Sequence, residues 1–294
     1  MKYIIGVMRP NFLLLAVACT FLAMTAAIWT HGQVNPIYSV LAFIGALAAH
    51  GCVNAINEYM DVKSGLDFRT TRTPFSGGSG TLIQDTSKTS LVLWTVIVTA
   101  AISAIIGIFF AIQVGWPILI IGAMGLFVIF AYTPWFNKQP ILCLLSPGFG
   151  FGTLMVLGSY YVLTGTITWT AVLSSFIPFF LVCNLLLLNQ FPDAEADKTV
   201  SRKHYPILIG KQASAVIYVS FLAATYITLV LGVIINLTPA WTLLALLTLF
   251  IAIPTARSVL KNAENLPALL PSLGQNVLLN LITPVLMGIG FLLG

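Results

Sequence analysis

Apolar residues fill this chain in long unbroken runs. They show neither the alternation of a half-buried strand nor the one-sided stripe of a soluble helix. Runs long enough to cross a ~30 Å hydrocarbon layer, roughly 20 residues each, fall near 10–29, 36–58, 89–112, 116–134, 141–163, 168–191, 214–236, 239–256 and 274–293. The continuity of the runs predicts α-helices, because barrel strands alternate and open strands cannot satisfy their backbone in lipid. The expected fold is therefore all-α and polytopic, with nine transmembrane helices and termini on opposite sides.

Composition supports lipid as the solvent. Of 294 residues, 59% are hydrophobic and 7% charged, with mean hydropathy +1.00. A soluble domain carries about a quarter charged residues. The first run follows Lys2 and Arg9 and ends at Ala26 and Ala27, which imitates a signal peptide. With eight more runs behind it, it reads as a retained first helix. Cys19, Cys52, Cys143 and Cys183 all fall inside predicted spans without a CxxC pair, as packing residues do.

Charge gives the orientation. All thirteen basic residues lie at the N-terminus or near 59–88, 135–140, 192–213 and 257–273, and the alternate loops hold none. Basic loops stay cytoplasmic, so the N-terminus is expected in the cytoplasm and the C-terminus outside. The net charge of +5 is thereby an orientation signal; it calls for no nucleic acid, and no obligatory protein partner is implied. Membrane lipid is the expected surrounding. Trp29, Trp116, Trp169 and Trp241 mark the other interface.

The acids are concentrated further. Seven of the eight lie in two segments, after the second and sixth runs: 57-NEYMDVKSGLD-67 with its continuation to Asp85, and 189-NQFPDAEADK-198. Asn57 and Asp61 stand four apart, as do Asn189, Asp193 and Asp197. On a helix that spacing builds a ladder of oxygens about 6 Å apart on one face. Four helices separate the two copies, which suggests repeats over about 10–134 and 141–256 plus a ninth helix, within a single domain over 1–294. Facing carboxylates repel unless a cation lies between them, and hard oxygens suit Mg²⁺ bridging to phosphate. Lys63, Arg69 and Arg72 flank the first ladder, and Lys198, Arg202 and Lys203 the second. Acids for metal and bases for phosphate oxygens make a diphosphate site. Each segment alone reads equally well as a solvated helix end; the matched pair does not.

These residues resemble the UbiA superfamily of intramembrane prenyltransferases, and most of all its 1,4-dihydroxy-2-naphthoate polyprenyltransferase branch, the enzymes of menaquinone synthesis. The resemblance rests on 57-NEYMDVKSGLD-67, 74-PFSGGSG-80, 189-NQFPDAEADK-198 and Arg9-Pro10. It implies a nine-helix bundle with a lipid-connected central cavity in the cytoplasmic (inner) membrane. It also implies Mg²⁺-dependent transfer of a polyprenyl group from a polyprenyl diphosphate to an aromatic quinone precursor. By that resemblance Asp61, Asp193 and Asp197 hold the metal, with Asn57 and Asn189 beside them and Asp67 as a further ligand. Asn57, Asp61, Asp193 and Asp197 are the expected catalytic set. Lys63, Arg69, Arg72, Lys198, Arg202 and Lys203 meet the diphosphate. Two departures stand out: Glu58 where the family carries Asp, and 202-RKHYPILIGK-211 after the second motif.

Tyr59, Tyr132, Tyr160 and Tyr161 are candidates to face an allylic cation, and His50, two turns before Asn57, a candidate pocket base. Each has packing as its plainer role. In 73-TPFSGGSGTLIQD-85 the glycines suit amide N–H groups turned to phosphate, or a plain flexible loop. Other acceptors (hydroxybenzoate, homogentisate or a glycerol-phosphate lipid) fit the same metal site. From another class, a secondary transporter is the rival, supported by Pro147, Gly148, Gly150 and Gly152 in the fifth run. The string expected of CDP-alcohol phosphotransferases does not occur.

Overall fold

The computed structural model describes residues 2–294. These residues form helices and no strand. A short helix, Lys2–Met8, leads into α1 (Pro10–His31), followed by α2 (Pro36–Ser64), α3 (Thr89–Val114), α4 (Pro117–Tyr132), α5 (Pro140–Thr164), α6 (Trp169–Lys198), α7 (Gly210–Ile234), α8 (Ala240–Asn262) and α9 (Leu266–Leu293). Eight of these are long and apolar enough to cross a membrane, and α4 is an apolar helix of 16 residues. The chain is a multi-pass membrane protein.

Proline opens α1, α2, α4 and α5, where its missing N–H costs nothing. Asn35 caps α2 by accepting from the Ile37 N–H at 2.9 Å, and Thr168 caps α6 through the Ala171 N–H at 3.3 Å. The apolar runs locate every span but stop short of several helix ends, two of which carry the site. α2 continues past position 58 to Ser64, and α6 past 191 to Lys198. Both acidic ladders are therefore helical. α9 begins at Leu266 rather than near 274.

α6 lies at the centre, with Leu181, Val182, Leu187 and Leu188 fully enclosed. A buried polar tie holds it to its neighbours: Asn184 Nδ2 donates to Tyr218 O (2.8 Å), Asn276 Nδ2 to Asn184 O (3.2 Å), and the Tyr218 hydroxyl to Asn276 Oδ1 (3.1 Å). By contrast α3 turns Ile97, Ile105, Ile108 and Ile112 outward, as a lipid-facing helix does.

The Pro/Gly run of α5 has a packing reason. Cβ atoms built at Gly148 and Gly152 would collide with the Phe179 backbone, so α6 closes directly onto α5 there. Over Phe149–Met155 the helix widens to a π-helical turn just after Pro147, which lacks the N–H an α-helical bond would use.

Candidate active site

The end of α2 builds the first half of the site. Asn57 and Asp61 lie on its last two turns. Gly65 ends the helix in the left-handed conformation (φ 77°), its N–H returning to Asp61 O and Val62 O. The chain thereby folds under the helix, with the Leu66 and Asp67 N–H groups also on Asp61 O (3.0 and 3.4 Å). Asp67 ends up buried. Burial, helped by the Asp61 and Glu58 carboxylates, pushes its carboxyl up to about 7.

The end of α6 supplies the second half, joined to the first by one side chain. The Arg202 guanidinium donates through Nη1 to Asp197 Oδ1 at 3.0 Å and through Nη2 to Asp61 Oδ1. Asp61 and Asp197 thus share one fork from opposite motifs. His204 Nε2 meets the other Asp197 oxygen at 2.9 Å. Sequence reasoning passed over His204, since a loop histidine seven positions after an aspartate carries no periodic signal. Arg202, expected on diphosphate, here bridges the two carboxylates.

The loop after α2 crosses both halves. The Gly77 N–H donates to Asp193 Oδ2 (3.2 Å). Glu58, 1% exposed, accepts from the Ser79 N–H (3.0 Å), Ser79 Oγ (2.7 Å) and the Leu82 N–H (3.1 Å), and lies 3.7 Å from Arg9 Nη2. Its extra methylene spans the distance to the loop, and its oxygens are engaged there. Gly77, Gly78 and Gly80 all have positive φ, which is why the loop needs glycine at these points. Gly77 currently offers its amide to a carboxylate.

Lys63, Arg69, Arg72, Lys198 and Lys203 are exposed around this mouth. Lys63 rests over the Tyr59 ring (5.8 Å), and Lys198 pairs with exposed Glu195 (2.7 Å). The side chains of Lys63, Arg69, Arg72 and Lys203 form no ion pair among the described residues.

Three acidic or amide oxygens of the two motifs are buried without a partner: Asp67 Oδ2, Asn189 Oδ1 and Asp193 Oδ1. Native structures leave few such atoms, and an all-oxygen set suits Mg²⁺. No three acidic or imidazole side chains close on a single point among the described residues, because Arg202 stands between Asp61 and Asp197. Mg²⁺ takes one or two carboxylates plus substrate phosphates and waters, so the donors fit it without a closed cage.

Beneath the ladders lies a cavity of about 600 Å³. Asn57, Asn189 and Arg9 stand at its polar end, and the rest is mainly aliphatic side chains and glycines of α2 to α5, joined by Phe12 of α1, Phe75 of the crossing loop, Phe151 of α5 and Leu185 of α6.

A family model described as the UbiA prenyltransferase family matches residues 16–269. The chain belongs to this family. Among curated relatives, it is 27% identical over 205 residues to 1,4-dihydroxy-2-naphthoate octaprenyltransferase of Bacillus subtilis, a match covering 68% of this chain and 63% of that one. It is 25% identical over 292 residues to the Escherichia coli protein of the same name (97% and 94%). It is also 25% identical over 219 residues to digeranylgeranylglyceryl phosphate synthase of Methanobrevibacter smithii (74% and 73%). Among solved structures, the apo UbiA homolog from Aeropyrum pernix K1 superposes with TM-score 0.75 at 15% identity, covering 97% and 98%. The UbiA homolog from Archaeoglobus fulgidus bound to DMAPP and Mg²⁺ gives 0.59 at 14%, covering 98% and 99%. These structures share the fold.

Within this UbiA fold the aromatic candidates separate. Tyr132 and His50 line the cavity. Tyr59 packs instead in the small core of Val7, Cys52, Ile56 and Leu82. Tyr160 is displaced furthest: its hydroxyl bonds Thr30 Oγ1 (2.7 Å) and Thr168 Oγ1 (2.9 Å) at the opposite end of the bundle. Tyr161, bonded to Val114 O (3.2 Å), lies there too. Both tyrosines bury their rings and spend their hydroxyls at that interface, so neither faces the cavity.

Proposed function

We propose that this UbiA-family protein transfers a polyprenyl group from a polyprenyl diphosphate to an aromatic quinone precursor of the dihydroxynaphthoate type. The observation that carries the reading is the union of two parts. Two carboxylate ladders meet through one arginine, and they stand over an apolar cavity whose polar end holds the unpartnered Asn189 Oδ1. The naphthoate acceptor is supported by the names of the Bacillus subtilis and Escherichia coli relatives. The Methanobrevibacter smithii relative supports a glycerol-phosphate acceptor as the second reading.

Asp61, Asp67, Asp193 and Asp197, with Asn57 and Asn189, would hold Mg²⁺. When bound, that ion neutralises the diphosphate as leaving group. Lys63, Arg69, Arg72, Lys198 and Lys203 ring the same mouth and give charge-assisted hydrogen bonds to phosphate oxygens, with Arg202 joining if it leaves the carboxylates. The allylic C–O bond breaks, the electron pair leaves with the diphosphate, and a ring carbon of the acceptor forms the new C–C bond. That carbon then gives up its own substituent, as a proton to the diphosphate or as CO₂ where it carries the carboxylate, and the bonding pair left behind restores the aromatic ring. The apolar wall keeps water from the allylic carbon, and the Tyr132 ring is placed to face positive charge there. The distribution of basic residues supports a cytoplasmic side for this mouth and the N-terminus in the cytoplasmic membrane. The test is product formation from a labelled prenyl diphosphate with a panel of acceptors. Prenylated naphthoate is the expected product; a prenylated glycerol phosphate alone would replace it with the second reading.

A further inference from the structure

After α6 ends at Lys198, the chain turns back on the last acid of its ladder. The Val200 and Arg202 N–H groups both donate to Asp197 O at 3.2 Å, and Ser201 between them takes the left-handed conformation (φ 60°). Asn137, in the connection between α4 and α5, then receives the Lys203 N–H on its carbonyl at 2.8 Å. His204 is extended, with φ −112° and ψ 167°. Side chains of an extended chain alternate sides, so Lys203 is exposed while Arg202 and His204 turn inward.

The two inward side chains take one carboxylate oxygen each. Arg202 Nη1 donates to Asp197 Oδ1 at 3.0 Å, and His204 Nε2 meets Oδ2 at 2.9 Å. Of the four motif aspartates, Asp197 alone has a hydrogen bond on each side-chain oxygen among the described residues. Asp193 Oδ1 and Asp67 Oδ2 are buried with none. His204 is 2% exposed, and its Nδ1 is buried without a partner. The bond to Asp197 is therefore the one polar contact of a ring enclosed at a cost.

The two oxygens differ in what holds them. Oδ1 faces a guanidinium that also reaches Asp61 of the other motif. A divalent cation between the motifs would compete with that guanidinium for the same oxygen. Oδ2 is tied to a ring whose own backbone is fixed, since the His204 carbonyl accepts the Ile207 N–H at 3.0 Å. A carboxylate with one oxygen tied offers only the other. Mg²⁺ demands a tight octahedron of oxygens, whereas the larger Ca²⁺ also accepts a carboxylate through both of its oxygens.

We propose that His204 is a positioning residue that limits Asp197 to one metal-facing oxygen, and that it thereby selects Mg²⁺ against Ca²⁺. The assignment rests on the prenyl-transfer reading and adds to it a determinant of which cation the paired motifs take. It also gives a task to 202-RKHYPILIGK-211, one of the two departures from the resembling branch.

The test uses the full chain in detergent and reads binding of geranyl diphosphate by calorimetry, without turnover, as Mg²⁺ or Ca²⁺ is titrated. The wild type is expected to require less Mg²⁺ than Ca²⁺. His204→Leu removes the donor and His204→Asn withdraws it. Each should weaken Mg²⁺ by about 10–100-fold, the scale of losing an outer partner of a metal ligand. Ca²⁺ should weaken far less, because it can use the freed oxygen. His204→Gln, whose amide donates from a similar reach, should keep most of the wild-type preference. Equal loss of the two cations in the Leu and Asn variants marks a merely structural histidine and overturns the proposal, as does an unchanged ratio. Where neither variant folds, His204→Gln decides, and a Gln variant without the Mg²⁺ preference overturns it. A wild type that takes Ca²⁺ as readily as Mg²⁺ overturns it without any variant. Geranyl diphosphate binding that needs no divalent cation, or no binding at all, fails the prenyl-transfer reading itself. Mg²⁺-dependent binding with an unmoved cation ratio fails the His204 assignment alone.

Discussion

Single residues at the mouth of the cavity have two-sided roles. Arg202 holds Asp61 and Asp197 together where, without it, two buried carboxylates would face each other. Removing one partner of a buried ion pair costs about 3–5 kcal/mol. Arg202→Ala should therefore lower the thermal unfolding midpoint of the metal-free protein, with added Mg²⁺ recovering part of the loss; an unchanged midpoint contradicts the bridge. Glu58 is read best through its loop bonds. Glu58→Asp keeps the charge but withdraws it by one methylene from Ser79 and Leu82. Faster amide exchange or proteolysis over residues 74–82 should follow, together with a higher KM for prenyl diphosphate. The ladders were legible in the sequence because a helix repeats every 3.6 residues, which makes four-residue spacing a statement about geometry. His204 and Arg9 were not legible as site neighbours. Each reaches the site through a turn whose course depends on distant partners, Asp197 for one and Asn54 for the other.

At the scale of elements, the apolar runs located the spans but not their polar continuations. α2 and α6 extend beyond the apolar runs, and in those extensions Asp61 and Asp197 are buried around Arg202. Hydropathy ends where the site begins. The same limit hid the π-helical turn of α5, which arises from Pro147 and from contact with Phe179. Those glycines, the best support for a transporter, let two helices meet. Gly152→Val forces the α5–α6 contact apart and should destabilise the protein by about 1–3 kcal/mol, measured by thermal unfolding in detergent. A glycine serving only as a hinge would tolerate valine with little change in midpoint.

For the whole molecule, a bundle with so few charges gathers nearly all its acids at one end and encloses an apolar cavity beneath them. That polarity suits a substrate with a charged head and a greasy tail. On the proposed function, the cavity walls would limit the length of that tail. Gly122 and Gly125 line the cavity, and a Cβ on either meets nothing within 4 Å. Gly125→Leu should therefore fold normally while narrowing the space for the tail. Each isoprene unit excluded forfeits several buried CH₂ equivalents at about 0.8 kcal/mol each, so kcat/KM should fall more for long donors than for geranyl diphosphate. An equal loss for both donors would place the tail elsewhere. The central claim is Mg²⁺-dependent prenyl transfer at the paired ladders, and diphosphate release tests it most directly. Purified protein with Mg²⁺, a radiolabelled polyprenyl diphosphate and 1,4-dihydroxy-2-naphthoate should release diphosphate and yield a prenylated product. Chelation should stop it, and Asp61→Ala should slow it by on the order of 10²–10³-fold, the scale of losing one electrostatic stabiliser. No release with any donor and acceptor, and Asp61→Ala indistinguishable from wild type, would contradict it.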